Sequence, residues 1–207
     1  MSKKQKHKKT PAREILEWIL TFVTALMIAL PIRAFAFELV RVDGSSMDQT
    51  LADGEILFVS KYDYGSVWLA LPWQDARTKE RAARWSVGAE PERFDVVICR
   101  YPGRGDTNFV KRVVGLPGDT VELRDGYLYV NGERYDELYV ADEYRIPGGS
   151  NGWFYRPYTV PDGEYFVMGD HRNNSNDSRA VGTITRDMII GHARSVVWPV
   201  RSQRNIE

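Results

Sequence analysis

A single cysteine, Cys99, rules out a disulfide within the chain. It sits in the run Val96-Val97-Ile98-Cys99, which reads as a buried strand and makes an inert thiol. One cysteine and three scattered histidines, His7, His171 and His192, offer no spacing for a zinc site, and no cofactor or metal is expected. Positive charge is not in excess outside the head. Lys3, Lys4, Lys6, Lys8, Lys9 and Arg13 precede any acid, and since the whole chain is neutral the remainder is negative by six. That remainder has no basic bias with which to hold nucleic acid. No repeat period is visible, and 207 residues suggest one domain with a small appendage.

What is present begins with the one long apolar run. Ile15 to Ile32 is almost uncharged. Eighteen residues of helix would cover about 27 Å, near the thickness of a bilayer core. A basic head before an apolar run predicts a membrane anchor with its head in the cytoplasm and the rest outside. The expected division is a cytoplasmic head over 1–14, an anchor over 15–36 and an extracytoplasmic β-rich domain over 37–207. Ala34-Phe35-Ala36 also fits a cleavable leader with an A-x-A site. The apolar core is longer than the usual ~7–15 residues of such leaders, and Pro31-Ile32-Arg33 interrupts it, which favours an uncleaved anchor.

From Phe37 on, the pattern is that of short strands between turns, predicting a mainly β, folded-over barrel or sandwich behind one N-terminal transmembrane helix. Strands are expected over Phe37–Val42, Ile56–Val59, Phe94–Arg100, Phe109–Val114, Tyr165–Met168 and Ile189–Trp198. Asp125-Gly126 and Asn131-Gly132 signal two tight hairpins, within a small subdomain over 120–162. Residues 69–91 look like an insertion, with helical character over Gln74–Arg84.

Two stretches carry candidate chemistry. Val42-Asp43-Gly44-Ser45-Ser46-Met47 places a hydroxyl, Ser46, in a glycine-containing loop just beyond the anchor. A serine needs a base to become a nucleophile. His171, beside Asp170, and His192 are candidates for a Ser-His-Asp site. Lys111 is the other. In a strand it shares a face with Phe109 and Val113, while Arg112 points the other way. Apolar surroundings destabilise a lysine cation. Moving its pKa from about 10.4 to about 7 costs roughly 4–5 kcal/mol, which a buried site can supply.

Four stretches together resemble type I signal peptidases, the membrane-bound serine endopeptidases that remove signal peptides from exported proteins. These are Gly44-Ser45-Ser46-Met47 with Thr50-Leu51; Gly54 to Val59; Lys111 to Asp119; and Gly169-Asp170, Arg172, Asn174-Ser175 and Asp177-Ser178-Arg179. The match runs from the anchor to about Gly191. It implies Ser46 as nucleophile, Lys111 as general base, Ser175 orienting the lysine amine, and Asp177 pairing with Arg112. It also implies an oxyanion hole on the Ser46 backbone N–H. Gly44 stands where some members add a serine hydroxyl, so here that side-chain donor is absent, as in the Gram-positive type. Gln49 replaces a proline usual before Thr50, and His171 replaces a common asparagine. The partners implied are signal-peptide-bearing precursors cut after small residues, and the lipid bilayer. An apolar rim including Phe37, Met47 and Leu51 is expected to rest on lipid. Two alternatives stay open: a Ser-Lys self-cleaving protease of the repressor type, and a tethered β-domain that binds peptides or envelope partners without catalysis.

Overall fold

The computed structural model describes residues 11–64, 66–68, 84–86, 88–101, 103–104, 107–145 and 156–206, without the side chains of 30–35, 66–68 and 84–86. The basic head before Pro11, most of the expected insertion and residues 146–155 of the expected subdomain lie outside this set. So does the helical character expected over Gln74–Arg84, except that Arg84 opens a strand.

Helix α1 (Pro11–Phe35) starts on a proline, whose missing N–H costs nothing in a first helical turn. Its described apolar side chains, Trp18, Phe22 and Met27 among them, are exposed around the helix. Among the described residues no helix is long and apolar enough to cross a membrane. The span expected over 15–36 is therefore not shown. Arg13, Glu14 and Glu17 charge the first two turns, and the side chains of 30–35 lie outside the description.

The strands follow as β1 (Phe37–Arg41), β2 (Ile56–Ser60), β3 (Ser66–Trp68), β4 (Arg84–Ser86), β5 (Val96–Cys99) and β6 (Phe109–Gly115). Then come β7 (Thr120–Arg124), β8 (Tyr127–Val130), β9 (Glu133–Tyr135), β10 (Tyr158–Thr159) and β11 (Glu164–Met168). A four-residue helix, α2 (Ser178–Val181), precedes β12 (Ile184–Thr185), β13 (Ile189–Trp198) and β14 (Arg204–Asn205). The main sheet runs β1-β2-β13-β5-β6-β11-β12, with β14 on β13. Its pairings are antiparallel. A second sheet orders β10-β7-β8-β9, and among the described residues β3 and β4 form a two-stranded sheet. The mainly β fold read from the alternating runs is the fold observed.

Local chemistry explains the second sheet. Asp125 and Gly126 take φ of 50° and 83°, and Asn131 and Gly132 take 55° and 84°. Two successive left-handed residues make the turn whose twist matches a hairpin, and Asp-Gly and Asn-Gly are the pairs that tolerate it.

The centre of the main sheet is covered on both faces. Val96 and Ile98 pack into one apolar cluster with Leu57 and Val59, while Val97 and Cys99 pack into another with Val113 and Val167. Phe166 and Met168 join a third with Val114, Val121 and Leu128, which fastens the second sheet to the first. Unbroken apolar runs such as Val96–Cys99 belong to strands buried on both sides. Burial pushes the Cys99 thiol up to about 12, so it stays protonated. Met47 and Leu51, expected at a lipid rim, are instead core residues at 1% and 0% exposure. Leu39, Trp198 and Val200 are exposed apolar side chains outside α1.

Gly115 sits where the two sheets meet. A Cβ there would lie 2.5 Å from Val121 Cγ2, 3.0 Å from Phe166 Cβ and 3.1 Å from Val160 Cγ2. Gly115→Ala is expected to lower stability by about 1–3 kcal/mol, as overpacking does, measured by urea unfolding.

Candidate active site

The Ser46 loop is held at its apolar residues. Met47 and Leu51 enter the cluster built on Leu57 and Val59. Thr50 N–H and Leu51 N–H both donate to Met47 O, at 2.8 and 2.7 Å, closing a tight turn. Gly44 has φ of 99°, a left-handed backbone that a side chain would strain. Its N–H donates to Asp53 at 2.9 Å. The turn lacks the proline that Gln49 replaces, and hydrogen bonds hold it from two sides. Thr50 Oγ1 donates to Asp170 at 2.5 Å. Arg204, on β14, donates to Thr50 O at 2.6 Å and grips Glu55 through two bonds of 2.8 Å.

Strand β6 brings Lys111 to this loop. Lys111 Nζ lies 2.7 Å from Ser46 Oγ and donates to Val110 O at 2.8 Å. Lys111 pairs in register with Val97, beside Phe109 and Val113, as the alternation of a strand requires. The residue is 2% exposed. Burial disfavours the cation and holds the amine below the ordinary lysine range. Among the described residues neither histidine ring bonds Ser46 Oγ. His192 sits between Asp63 and Asp95, at 3.6 and 3.7 Å, stacked on Tyr64. His171 meets the loop through Ser45 O, Ser46 O and Asp48.

The ion pairs are exchanged relative to expectation. Arg112 does not pair with Asp177. Its guanidinium forks onto Asp170 at 3.0 and 2.9 Å, donates to Phe94 O and Thr50 Oγ1, and lies 3.8 Å over the Tyr139 ring. Asp177 pairs with Arg179 at 2.8 and 2.7 Å, and accepts Gly169 N–H at 3.0 Å. Burial opposes charge on Asp177, yet the Arg179 guanidinium and the Gly169 N–H hold its carboxyl below the usual range. The cause of the exchange is reach. Asp170 follows β11, and Met168, two residues before it, pairs directly with Arg112. Asp177 caps α2, with Arg179 two residues on in the first turn.

Ser175 Oγ makes no hydrogen bond to the amine. Val110 O takes the place expected for it. Ser175 Oγ is buried without a hydrogen bond of good geometry, although it lies near enough to Asp177 to help hold that carboxyl down. It presses instead on Gly169. A Cβ on Gly169 would collide with Ser175 Oγ and lie 2.5 Å from Ser46 O.

Residue-by-residue reading missed the outer shell. Glu137 and Arg172 form a buried two-bond pair, and Tyr139 OH donates to Glu137 at 2.8 Å. Asp170 was visible as a neighbour of His171 and in the last of the matching stretches, but with no role of its own. A carboxylate two residues past a strand adjoining β6 was the available signal.

A serine hydroxyl against a buried amine whose pKa burial lowers, inside a mainly β domain, could serve as a nucleophile and its base. The chain belongs to the signal peptidase family, peptidase S26, which it matches over residues 15–198. It is 37% identical over 197 residues to signal peptidase I of Bacillus licheniformis, covering 93% of this chain and 94% of that protein. It is 38% identical over 208 residues to signal peptidase I T of Bacillus subtilis (strain 168), covering 97% and 94%. A crystal structure of a signal peptidase I from Enterococcus faecalis V583 aligns with a TM-score of 0.42 at 36% identity, over 50% of this chain and 97% of that one. As a member of this family the chain is a serine endopeptidase.

Gly169→Ala is expected to lower kcat by about 100-fold or more, because misplacing reacting groups by about 1 Å has that effect. Steady-state cleavage of a precursor measures it, with circular dichroism to show that the fold persists.

Proposed function

We propose that this chain removes N-terminal signal peptides from exported precursors, with Ser46 as nucleophile and Lys111 as general base. The carrying observation is the 2.7 Å separation of Lys111 Nζ from Ser46 Oγ at a buried position. The neutral amine takes the hydroxyl proton as Ser46 Oγ attacks the peptide carbonyl. The ammonium so formed gives that proton to the departing amine, leaving an acyl ester on Ser46. Lys111 then deprotonates a water that hydrolyses the ester. With glycine at position 44, the developing oxyanion relies on the backbone N–H of Ser46 and on water. Substrates carry small residues before the cut.

The bilayer is the second partner. In this proposal residues 15–36 anchor the chain with the basic head inside and residues 37–207 outside. The exposed apolar side chains of α1 support it. Phe37 is half-buried against Phe58 on the same sheet face. The opposing reading, a tethered peptide-binding domain, gives no reason to bury a lysine beside a serine.

Precursor cleavage by wild type, Ser46→Ala and Lys111→Ala tests the dyad. Both variants are expected to lose activity by about 10³-fold or more; variants as active as wild type would remove both roles. The single-turnover rate is expected to rise with pH along a limb below the ordinary lysine pKa, because the neutral amine is the working form and burial lowers its pKa.

The same shift acts on stability. An unfolded lysine binds a proton that the folded one has lost. Stability therefore rises with pH between the folded and unfolded pKa values, and below both it carries the full penalty of burying the cation. Lys111→Met removes that penalty. It is expected to raise the melting temperature by a few degrees at neutral pH, about 2–4 °C per kcal/mol for a chain this size, while abolishing cleavage.

A further inference from the structure

The peptide that precedes Ser46 is held by a residue outside the dyad. Ser45 C=O and Ser46 N–H belong to one planar unit and point in opposite directions. His171 Nδ1 lies 3.1 Å from Ser45 O and 3.3 Å from Asp48 Oδ2. Both partners are acceptors, so Nδ1 carries the hydrogen. The His171 backbone N–H donates to Ser46 O at 3.1 Å. One residue thus ties two successive carbonyls of the nucleophile loop. Asn174 adds a bond from Nδ2 to Ser45 Oγ at 2.7 Å, and its own N–H donates to His171 O at 3.0 Å. The imidazole is fixed from outside by Tyr144, stacked with ring centroids 3.7 Å apart at 15°. Asn173 Nδ2 donates to Glu143 O at 3.3 Å, docking the same turn. Among the described residues Ser46 N–H meets no acceptor.

We propose that His171 is a positioning residue for the oxyanion hole: by holding Ser45 O it sets the plane of the 45–46 peptide and aims Ser46 N–H at the substrate carbonyl oxygen. This rests on the proposed Ser46–Lys111 chemistry. A fixed plane matters more here than in a site with a side-chain donor, because Gly44 supplies none. A backbone donor that can rotate must be ordered anew in each turnover, whereas a preset one costs no reorganisation. The turn over Asp142–Tyr144 thereby gains a role, since it holds the imidazole that holds the peptide.

Replacement at position 171 separates the donor from the bulk. Asparagine places Nδ2 where histidine has Nδ1, so His171→Asn keeps a donor for Ser45 O. His171→Leu fills space without a donor, and His171→Asp puts an acceptor against the carbonyl. The measurements are kcat and KM for a precursor peptide and Ki for a peptide aldehyde, to whose carbonyl Ser46 adds reversibly to leave an oxyanion. Removing an oxyanion donor outright costs about 10²–10³ in kcat, so misaiming one is expected to cost about 10- to 100-fold. His171→Leu and His171→Asp are expected to lose that much in kcat with KM within about twofold, and their aldehyde Ki to rise by the same factor. His171→Asn is expected to stay within about threefold of wild type. Wild-type kcat in His171→Leu overturns the inference. So does equal loss in the Asn and Leu variants, or a fall in kcat without weaker aldehyde binding. If the Leu variant does not fold, the contrast between Asn and Asp decides. Cleavage that survives Ser46→Ala or Lys111→Ala defeats the dyad itself, whereas inactive dyad variants beside a fully active His171→Leu defeat only the role of His171.

Discussion

A lysine amine buried beside a serine hydroxyl is an unfavourable thing to fold. Water would solvate the cation, and the protein interior does not. Most of what surrounds Lys111 follows from that constraint. It lies on a strand covered on both faces, next to Val97, Phe109 and Val113, and its second acceptor is a backbone carbonyl rather than a carboxylate. A carboxylate in hydrogen-bond contact would draw the proton back and restore the cation. The nearby acids are instead held by arginines, Asp170 by Arg112 and Asp177 by Arg179. These pairs keep negative charge close to the amine without giving it a direct ionic partner.

The arrangement also explains why consecutive residues of β6 are both charged and both buried. Lys111 and Arg112 face opposite sides of the strand. The lysine is kept poor in polar contacts and the arginine rich in them. Arg112 reaches Asp170, Thr50 and Phe94 O, and carries the Tyr139 ring on its face. Removing one member of such a buried set leaves a charge without its partner, which is costlier than the set is stabilising. Arg112 and Asp170 therefore form a fixed post to which the loop following Ser46 is tied through Thr50. Arg204 ties the same loop from β14. The Ser46 loop is consequently tied from two sides although Gln49 stands where a proline would have stiffened it.

Much of this was legible in the residues. The strands of the main sheet were visible as β-branched runs, and the two hairpins as Asp-Gly and Asn-Gly. The alternation of residues along β6 by itself places Lys111 among apolar side chains. What could not be read was pairing across the chain. Asp177 and Asp170 are chemically alike in sequence, and only the register of β11 on β6 shows which one reaches Arg112. Met47 and Leu51 looked like lipid contacts because they flank a polar loop near the apolar helix. They are core because the turn at Thr50 folds them inward onto Leu57 and Val59. The contribution of Ser175 was drawn from resemblance alone, and in this structure Val110 O, a group with no sequence signature, holds the amine.

The central claim is that Lys111 is uncharged in the resting protein. The direct measurement is an NMR titration of the Lys111 side chain, isotopically labelled at Cε and Nζ and assigned by its disappearance in Lys111→Met. The account predicts a midpoint well below that of the surface lysines, with the neutral amine present near neutral pH. A Lys111 that titrates together with the surface lysines, and is a cation throughout the range in which precursor is cleaved, would contradict it.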